Sequence, residues 1–163
     1  MRSPRRRARE LSLQALYAWL LQGGSAADVV HDAEQLKGFE EGDADFLRAE
    51  LTGVVGSAEA LRTQLEPLVG RKWAEVSPVE KAVLLIGAWE LQSLPEVPYR
   101  VAINEALELA KRFGGTDGHR FVNGVLDRVA ATVRADEMSL APTHAPRSRG
   151  GRPPNVKPPK VEA

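Results

Sequence analysis

One segment near the middle of the chain constrains the fold more than any other. It opens with Ser-Pro-Val-Glu at residues 77–80. Serine at the cap, proline at the first helical position and glutamate at the third make a capping box, which predicts a helix start. The following residues, 82–89, are nearly all apolar. Because a helix that is apolar on every side must be covered by other elements, we expect a central helix over residues 78–93.

The elements around this segment are also predicted to be helices. The chain has no sustained alternation of apolar and polar residues, which argues against strands. Ser3, Ser25 and Asp43 are suitable caps for helix starts, and we interpret Gly53 and Gly56 as positions of close helix packing and not as a break. The predicted helices cover about residues 4–21, 25–38, 43–67, 78–93, 100–113 and 117–133. The expected fold class is therefore all-α, with six or seven helices in total.

The carboxyl-terminal segment differs in composition from the rest. Beyond about residue 136, six prolines are interspersed with basic residues, glycine and serine, and almost nothing can be buried. Such a segment cannot offset the conformational entropy that ordering costs. We therefore predict a folded domain over residues 4–136 and a disordered, proline-rich, basic tail over residues 137–163.

Cysteine and long apolar runs are both missing from the chain. Disulfides and thiolate metal sites are therefore excluded, which fits a reducing compartment. No run approaches the ~20 apolar residues of a membrane span, and the first arginines are not followed by the apolar core of a signal peptide. We expect a soluble, cytoplasmic protein that does not engage a membrane.

Charge is unevenly distributed, although the formal net charge is zero. Residues 1–10 and residues 139–163 each hold five basic residues and one glutamate, which makes each end +4. The body between them carries −8. Because an acidic body repels a polyanion, this distribution indicates a polyanionic ligand that is contacted at defined places.

No catalytic constellation is evident. The three histidines lack the spacing of a metal site, no serine or threonine lies in a nucleophile elbow, and no phosphate-binding loop is present. Glu105 and Glu108 stand one helical turn apart, as paired carboxylates would, but we favour a solvated helix face. The sequence predicts a protein that is not an enzyme, with no cofactor and no metal.

The first predicted helix carries the clearest candidate binding surface. On a helix, Arg6, Glu10, Gln14 and Tyr17 fall within one sector, with Arg7 beside them, while the leucines fall on another. Arginine pairs with phosphates and stacks on bases, and an exposed tyrosine stacks on unpaired bases. This favours binding of a nucleic acid, RNA or DNA. The alternative is that the arginines only solubilise the terminus and Tyr17 packs on a neighbouring helix.

A second candidate surface is the segment Thr-Asp-Gly-His-Arg-Phe-Val-Asn-Gly at residues 116–124. The amino terminus of a helix exposes backbone N–H groups and favours anions, and His119, Arg120 and Asn123 add donors. Phe121 fits either the core or a base-stacking face, and its position alone favours the core.

Several of these segments together resemble the NusB family of bacterial transcription antitermination factors. The matching segments are Arg5-Arg6-Arg7-Ala8-Arg9-Glu10 with Gln14-Ala15-Leu16-Tyr17, Val79-Glu80-Lys81-Ala82-Val83-Leu84 with Glu90-Leu91, Val97–Ala106, and Phe121–Asp127. They stand in family order and spacing over residues 4–136, and the last two are the most specific. The resemblance implies an all-helical fold of two packed helical bundles.

The resemblance also implies a function, which is binding to the single-stranded boxA element of nascent ribosomal RNA transcripts. NusB proteins pair with NusE, a small-subunit ribosomal protein, and the heterodimer, with other Nus factors, helps RNA polymerase to read through terminators. The implied RNA-binding residues are Arg5, Arg6, Arg7, Arg9, Gln14 and Tyr17 in one part and Asp117, His119, Arg120 and Phe121 in another. Phe121 thereby changes from a core residue to a base contact, and Glu80 is implied to lie on the NusE side. The oligomeric state is not implied, because family members occur as monomers and as dimers.

Three other interpretations stay open. A related helical domain is fused to ribosomal RNA cytosine methyltransferases, but this chain lacks their length and their catalytic cysteine. A DNA-binding helix-turn-helix of residues 100–113 and 119–133 would have a second helix that is largely apolar after Asn123. The third is a protein adaptor in which the arginines are incidental. The tail extends past the usual end of the family and is either a solvated appendage or a source of nonspecific RNA affinity.

Overall fold

The computed structural model describes residues 3–140, and within that range the chain is all-helical, as expected. Its eight α-helices are α1 (Pro4–Gln22), α2 (Ala26–Glu34), α3 (Ala44–Gly56), α4 (Ala58–Leu65), α5 (Pro78–Ser93), α6 (Tyr99–Phe113), α7 (Gly118–Val133) and α8 (Ala135–Leu140). Short 3₁₀ turns lie at Phe39–Glu41, Glu66–Leu68 and Trp73–Glu75. The number of helices exceeds the expected six or seven for two reasons. The segment predicted as one helix over residues 43–67 forms two helices, and the short helix α8 follows α7.

Helix α5 is the central element that the sequence predicts. Every residue from Ala82 to Leu91 is buried, and α1, α3, α4, α6 and α7 all pack against this helix. The helix starts as expected, because the Glu80 N–H donates to Ser77 Oγ at 3.1 Å. The Glu80 carboxylate accepts from the same Ser77 hydroxyl at 3.2 Å. The serine half of the predicted capping box is therefore formed, whereas the Glu80 carboxylate accepts from the Ser77 hydroxyl in place of the Ser77 backbone N–H.

Two groups of helices pack about this centre. Helices α1, α2 and α3 contact one another and form the amino-terminal bundle, and α5, α6 and α7 contact one another and form the carboxyl-terminal bundle. Because α1 and α3 also contact α5, the buried side chains of both bundles belong to one core. This is the arrangement of two packed bundles that the family resemblance implies.

The segment 43–67, predicted as a single helix, is two helices. Close packing at Gly53 is confirmed, since a Cβ there would lie 2.2 Å from Nε1 of Trp89 in α5. The same expectation for Gly56 is wrong, because a Cβ there would meet nothing within 4 Å. The prediction of one continuous helix is wrong, because the backbone of Ser57 departs from helical geometry, with φ −108° and ψ 9°. The chain therefore bends directly after Gly56, and α4 turns to pack against α5 and α7.

The expected domain boundary after residue 136 falls inside α8. Arg134 is buried and donates to three carbonyl oxygens at the end of α5 and in the following loop, those of Leu91 (2.7 Å), Leu94 (2.9 Å) and Val97 (2.9 Å). Glu137 accepts from the Tyr99 N–H at 2.8 Å and so satisfies the first turn of α6. Residues 134–137 therefore close the carboxyl-terminal bundle. The rest of the predicted tail, residues 141–163, lies outside the described residues.

None of the helices between residues 3 and 140 combines the length and the apolar character that crossing a membrane requires.

Candidate nucleic-acid interface

The arginines of α1 lie in four different environments. Arg5 is exposed, and its guanidinium lies 4.7 Å from the centre of the Phe46 ring. The Arg6 side chain is 45% exposed and forms a two-pronged contact with Glu105 of α6, with Nε 3.1 Å from Oε2 and Nη2 2.8 Å from Oε1. That hydrogen bond and the Glu105 charge raise the pKa of Arg6 above its ordinary value. Arg5 and Arg6 thus present permanent positive charge at the surface.

Arg7 is partly buried against the loop that follows α2. Its Nη2 donates to the Lys37 carbonyl oxygen at 3.0 Å, and its Nη1 donates to Glu10 Oε1 at 3.2 Å. Gly38 makes room for it, because a Cβ at that glycine would lie 2.1 Å from Arg7 Nη2. With a φ of +90°, Gly38 also has a backbone conformation that favours glycine. Arg7 therefore fastens α1 to this loop and keeps only part of its guanidinium at the surface.

Arg9 does not lie at the surface, and this corrects its assignment to the RNA-binding set. The residue is buried, and its guanidinium is held by the buried Glu90 carboxylate of α5, with Arg9 Nη2 2.8 Å from Glu90 Oε1. The side chain lines the cleft between α1 and α6, but its guanidinium is held by Glu90 and lies 3.8 Å from Glu105, so little of it is left for a phosphate. Arg9 lies one helical turn after Arg6, where α1 packs against α5 and α6, and Glu90 of α5 holds its guanidinium.

The sector of α1 predicted to be polar and exposed is confirmed at three of its four positions, Arg6, Gln14 and Tyr17. Gln14 is exposed, and Tyr17 is 41% exposed, so Tyr17 is not covered by a neighbouring helix. Glu10 is different, since it is buried between Arg7 and Arg112 of α6, whose Nη1 lies 3.1 Å from Glu10 Oε2. One exposed sector of α1 therefore holds Arg6, Gln14 and Tyr17, while Arg5 is exposed elsewhere on the first turn, beside Phe46 of α3.

The second candidate surface lies at the start of α7, in the other bundle. Asp117 and Arg120 are exposed, and Asp117 Oδ1 lies 4.0 Å from Arg120 Nε. His119 is partly buried. Phe121 is also partly buried: it packs against the core, while the guanidinium of Arg71 lies 4.1 Å from the ring centre. The core interpretation of Phe121 describes part of this side chain, Arg71 lies against the ring, and a base contact stays a prediction.

Glu80, expected on the side of a partner protein, lies next to this second surface. A Cβ built on Gly118, the first residue of α7, would be 3.7 Å from the Glu80 carboxyl carbon. The expected partner side and the segment from Asp117 to Phe121 are thus neighbours in the structure. Within residues 3–140, no group of histidine and acidic side chains is arranged to hold a metal ion.

Comparison with known proteins agrees with this architecture. The model of the NusB family matches residues 6–131. The transcription antitermination protein NusB of Bordetella pertussis is 52% identical over 145 residues, which span 86% of this chain and 94% of the relative. That of Paraburkholderia phymatum is 48% identical over 141 residues, with coverage of 86% and 97%.

The chain belongs to the NusB family. The family resemblance seen in the sequence is confirmed, and with it the class of protein: a transcription antitermination factor, and not an enzyme. The solved structure of T. maritima NusB is similar at a TM-score of 0.73 and 26% identity, covering 85% of this chain and 99% of that one. The all-helical fold is therefore that of a NusB protein.

Sequence reasoning missed three side chains beside the candidate surfaces of this NusB-family protein. Glu105 was expected on a solvated face, but it accepts from Arg6 and is mostly covered. Arg112 lies against Glu10, and Arg71 lies against Phe121. Glu105 and Arg112 are seven residues apart, two helical turns, so their shared face was readable from the sequence. Arg71 follows the turn at Glu66–Leu68, and no helical spacing predicts its contact with Phe121.

Proposed function

We propose that this NusB-family protein binds the single-stranded boxA element of nascent ribosomal RNA transcripts as a heterodimer with NusE. In that complex it promotes read-through by RNA polymerase, together with other Nus factors, in ribosomal RNA operons. The observation that carries the proposal is the exposed sector of α1 that holds Arg6, Gln14 and Tyr17, with Arg5 also exposed on the first turn. Guanidinium groups contact phosphates, and a half-exposed phenol ring offers a stacking platform for an unpaired base.

The proposed RNA surface continues at the start of α7. Arg120 supplies a positive charge, His119 a donor and Phe121 a partly exposed ring, while Asp117 can accept from base amino groups. Glu80 stands beside Gly118, which supports a NusE site next to this part of the RNA surface. Arg7 contributes to RNA binding with the part of its guanidinium that stays accessible. Arg9 contributes indirectly, because its ion pair with Glu90 holds α1 against α5.

A helix-turn-helix on duplex DNA fits the structure poorly. The proposed recognition helix, α7, buries its apolar residues against α5 and α6. Beyond the first turn, the exposed side of α7 carries Arg128 directly after Asp127. The negative charge of Asp127 opposes contact with a phosphate backbone. Too few side chains remain on that helix to read bases in a groove.

Substitution of the exposed face of α1 tests the proposal against the adaptor alternative. We expect the double variant Arg5→Ala/Arg6→Ala and the single variant Tyr17→Ala each to weaken binding of single-stranded boxA RNA, measured by fluorescence anisotropy. Tyr17→Phe keeps the ring and is expected to retain most of the affinity, whereas NusE binding should survive in all of them. Unchanged RNA affinity with intact NusE binding would favour the adaptor, and preference for duplex DNA would contradict the proposal.

A further inference from the structure

A cleft of about 90 Å³ lies between α1 and α6. Its walls include Arg6 and Glu10 from α1 and Glu105 and Arg112 from α6. Glu105 and Arg112 share one face of their helix because seven residues make two turns. Two helices that are far apart in the sequence, one from each bundle, thus bring three arginines and three glutamates together at one opening, with Arg9 and Glu108 completing the set.

Arg112 has the same solvent exposure as Arg6 and the same kind of carboxylate contact. Its side chain is 45% exposed, and its Nη1 lies 3.1 Å from Glu10 Oε2. Glu10 also accepts from Arg7 Nη1 at 3.2 Å, so one carboxylate serves two guanidinium groups. These contacts hold Arg112 at the mouth of the cleft without burying it.

Both arginines keep donors for a ligand. A guanidinium carries five N–H bonds. Arg6 donates to Glu105 from Nε and Nη2, which leaves the two N–H bonds of Nη1 and one of Nη2. The Nη1 atom of Arg112 lies nearest to Glu10, and with its side chain 45% exposed the guanidinium keeps further N–H groups accessible. The carboxylates at the cleft therefore orient the two guanidinium groups and leave several donors accessible.

We infer that this cleft is a phosphate site of the RNA surface, in which Arg112 of α6 acts together with Arg6 of α1 on one backbone phosphate. The inference rests on the proposed RNA binding and deepens it by naming the ligand group and a residue outside α1. The oxygens of a phosphate can accept two parallel hydrogen bonds from one guanidinium group, and its negative charge is attracted to the arginines. Glu108 also lines the cleft, and the half-exposed Lys111 lies 3.7 Å from its carboxylate and so offsets that negative charge.

The test compares wild-type protein with Arg112→Ala in anisotropy titrations of single-stranded boxA RNA over a range of salt concentrations. Loss of one phosphate contact is expected to weaken binding several-fold and to make the slope of log affinity against log salt shallower by about 0.7. Arg48→Ala is the matched control: Arg48 is 46% exposed and lies 2.7 Å from Glu34, but it belongs to α3. An equal loss in both variants would mean a general effect of net charge and would overturn the inference.

A second measurement guards against an effect on folding. Arg112→Gln keeps a hydrogen-bond donor for Glu10, and its thermal midpoint is expected to stay near that of the wild type. RNAs with a single uncharged methylphosphonate linkage are then scanned with both proteins. One linkage should weaken binding to the wild type and weaken it less with Arg112→Gln, in which Arg6 alone remains at that phosphate; if every linkage has the same effect on both proteins, the inference is wrong. Failure of the wild type to bind boxA RNA at all would instead contradict the proposed function, and the inference with it.

Discussion

Arg9 of α1 donates three hydrogen bonds to the Glu90 carboxylate of α5. Its Nε lies 2.9 Å from Oε2 and 3.2 Å from Oε1, and its Nη2 lies 2.8 Å from Oε1. Both side chains are buried, so the ion pair joins the amino-terminal bundle to the central helix inside the core. A buried pair of this kind adds little over an apolar contact, but loss of one partner leaves an uncompensated charge in the interior.

Removal of the Arg9 guanidinium should therefore destabilise the fold strongly. For Arg9→Ala we expect a loss of about 3–5 kcal/mol in the free energy of unfolding, because Glu90 is then buried without a cation. Urea denaturation measures this, and Arg5→Ala, at an exposed arginine of the same helix, should change the free energy by less than about 1 kcal/mol. Equal stability of Arg9→Ala and wild type would show that Glu90 does not depend on this pair.

Glu50, buried in the same cluster, is expected to make stability depend on pH. Burial raises the pKa of Glu50 well above its usual range, and the neighbouring Glu90 carboxylate raises it further, against the opposing effect of Arg9. The folded state then holds a proton that the unfolded chain has lost. Stability should fall as pH rises from the unfolded pKa, about 4.3, toward the raised folded pKa, by at most about 1.4 kcal/mol per pH unit.

The variant Glu50→Gln separates this effect from other titrations. It keeps the size of the side chain and removes the ionisable group, so it should flatten the decline and be more stable than the wild type at pH 8. Urea denaturation of both proteins between pH 5 and pH 8 measures the difference. Identical slopes would mean that Glu50 titrates normally in the folded protein.

Two glycines of α3 should respond to alanine in opposite directions. A Cβ at Gly53 would lie 2.2 Å from Trp89 Nε1, whereas a Cβ at Gly56 meets nothing within 4 Å. We expect Gly53→Ala to cost about 1–3 kcal/mol because α3 must move away from α5. Gly56→Ala should be neutral or stabilise by up to about 1 kcal/mol, since alanine is the better helix former. Thermal denaturation measures both, and a similar effect at the two positions would contradict the packing described.

Arg134 is predicted to stabilise the carboxyl-terminal bundle by satisfying the end of α5. Its loss in Arg134→Ala removes the donors to the carbonyl oxygens of Leu91, Leu94 and Val97. We expect a loss of about 2–4 kcal/mol, since several buried acceptors lose their partner at once. Arg128→Ala, at an exposed position of α7, is the control and should change the free energy of unfolding little. A small effect of Arg134→Ala in urea denaturation would show that water replaces the side chain.

The sequence was sufficient for the features that depend on local pattern. The apolar run of α5, its Ser77 cap and the exposed Gln14 and Tyr17 of α1 follow from helical periodicity and capping chemistry, and the structure agrees. The family resemblance added the two-bundle arrangement, which periodicity alone does not specify.

Features that depend on contacts between helices far apart in the chain could not be predicted from the sequence. Arg9 looks like its neighbours in the sequence, and only the position of Glu90, 81 residues later, decides that it is buried. Glu105 appears solvated until α1 is packed against α6, which brings it to Arg6. The bend after Gly56 likewise follows from how α3 and α4 pack against α5, and not from the glycine itself.

The most direct test of the account is the affinity of the purified protein for a short single-stranded boxA RNA and for a scrambled RNA of the same composition, each with and without NusE. Fluorescence anisotropy at a fixed salt concentration gives all four values. The account predicts tighter binding to boxA than to the scrambled RNA, and a further increase for boxA when NusE is present. Equal affinity for both RNAs, with no effect of NusE, would contradict sequence-selective recognition and reduce the arginines of α1 to a nonspecific electrostatic contact.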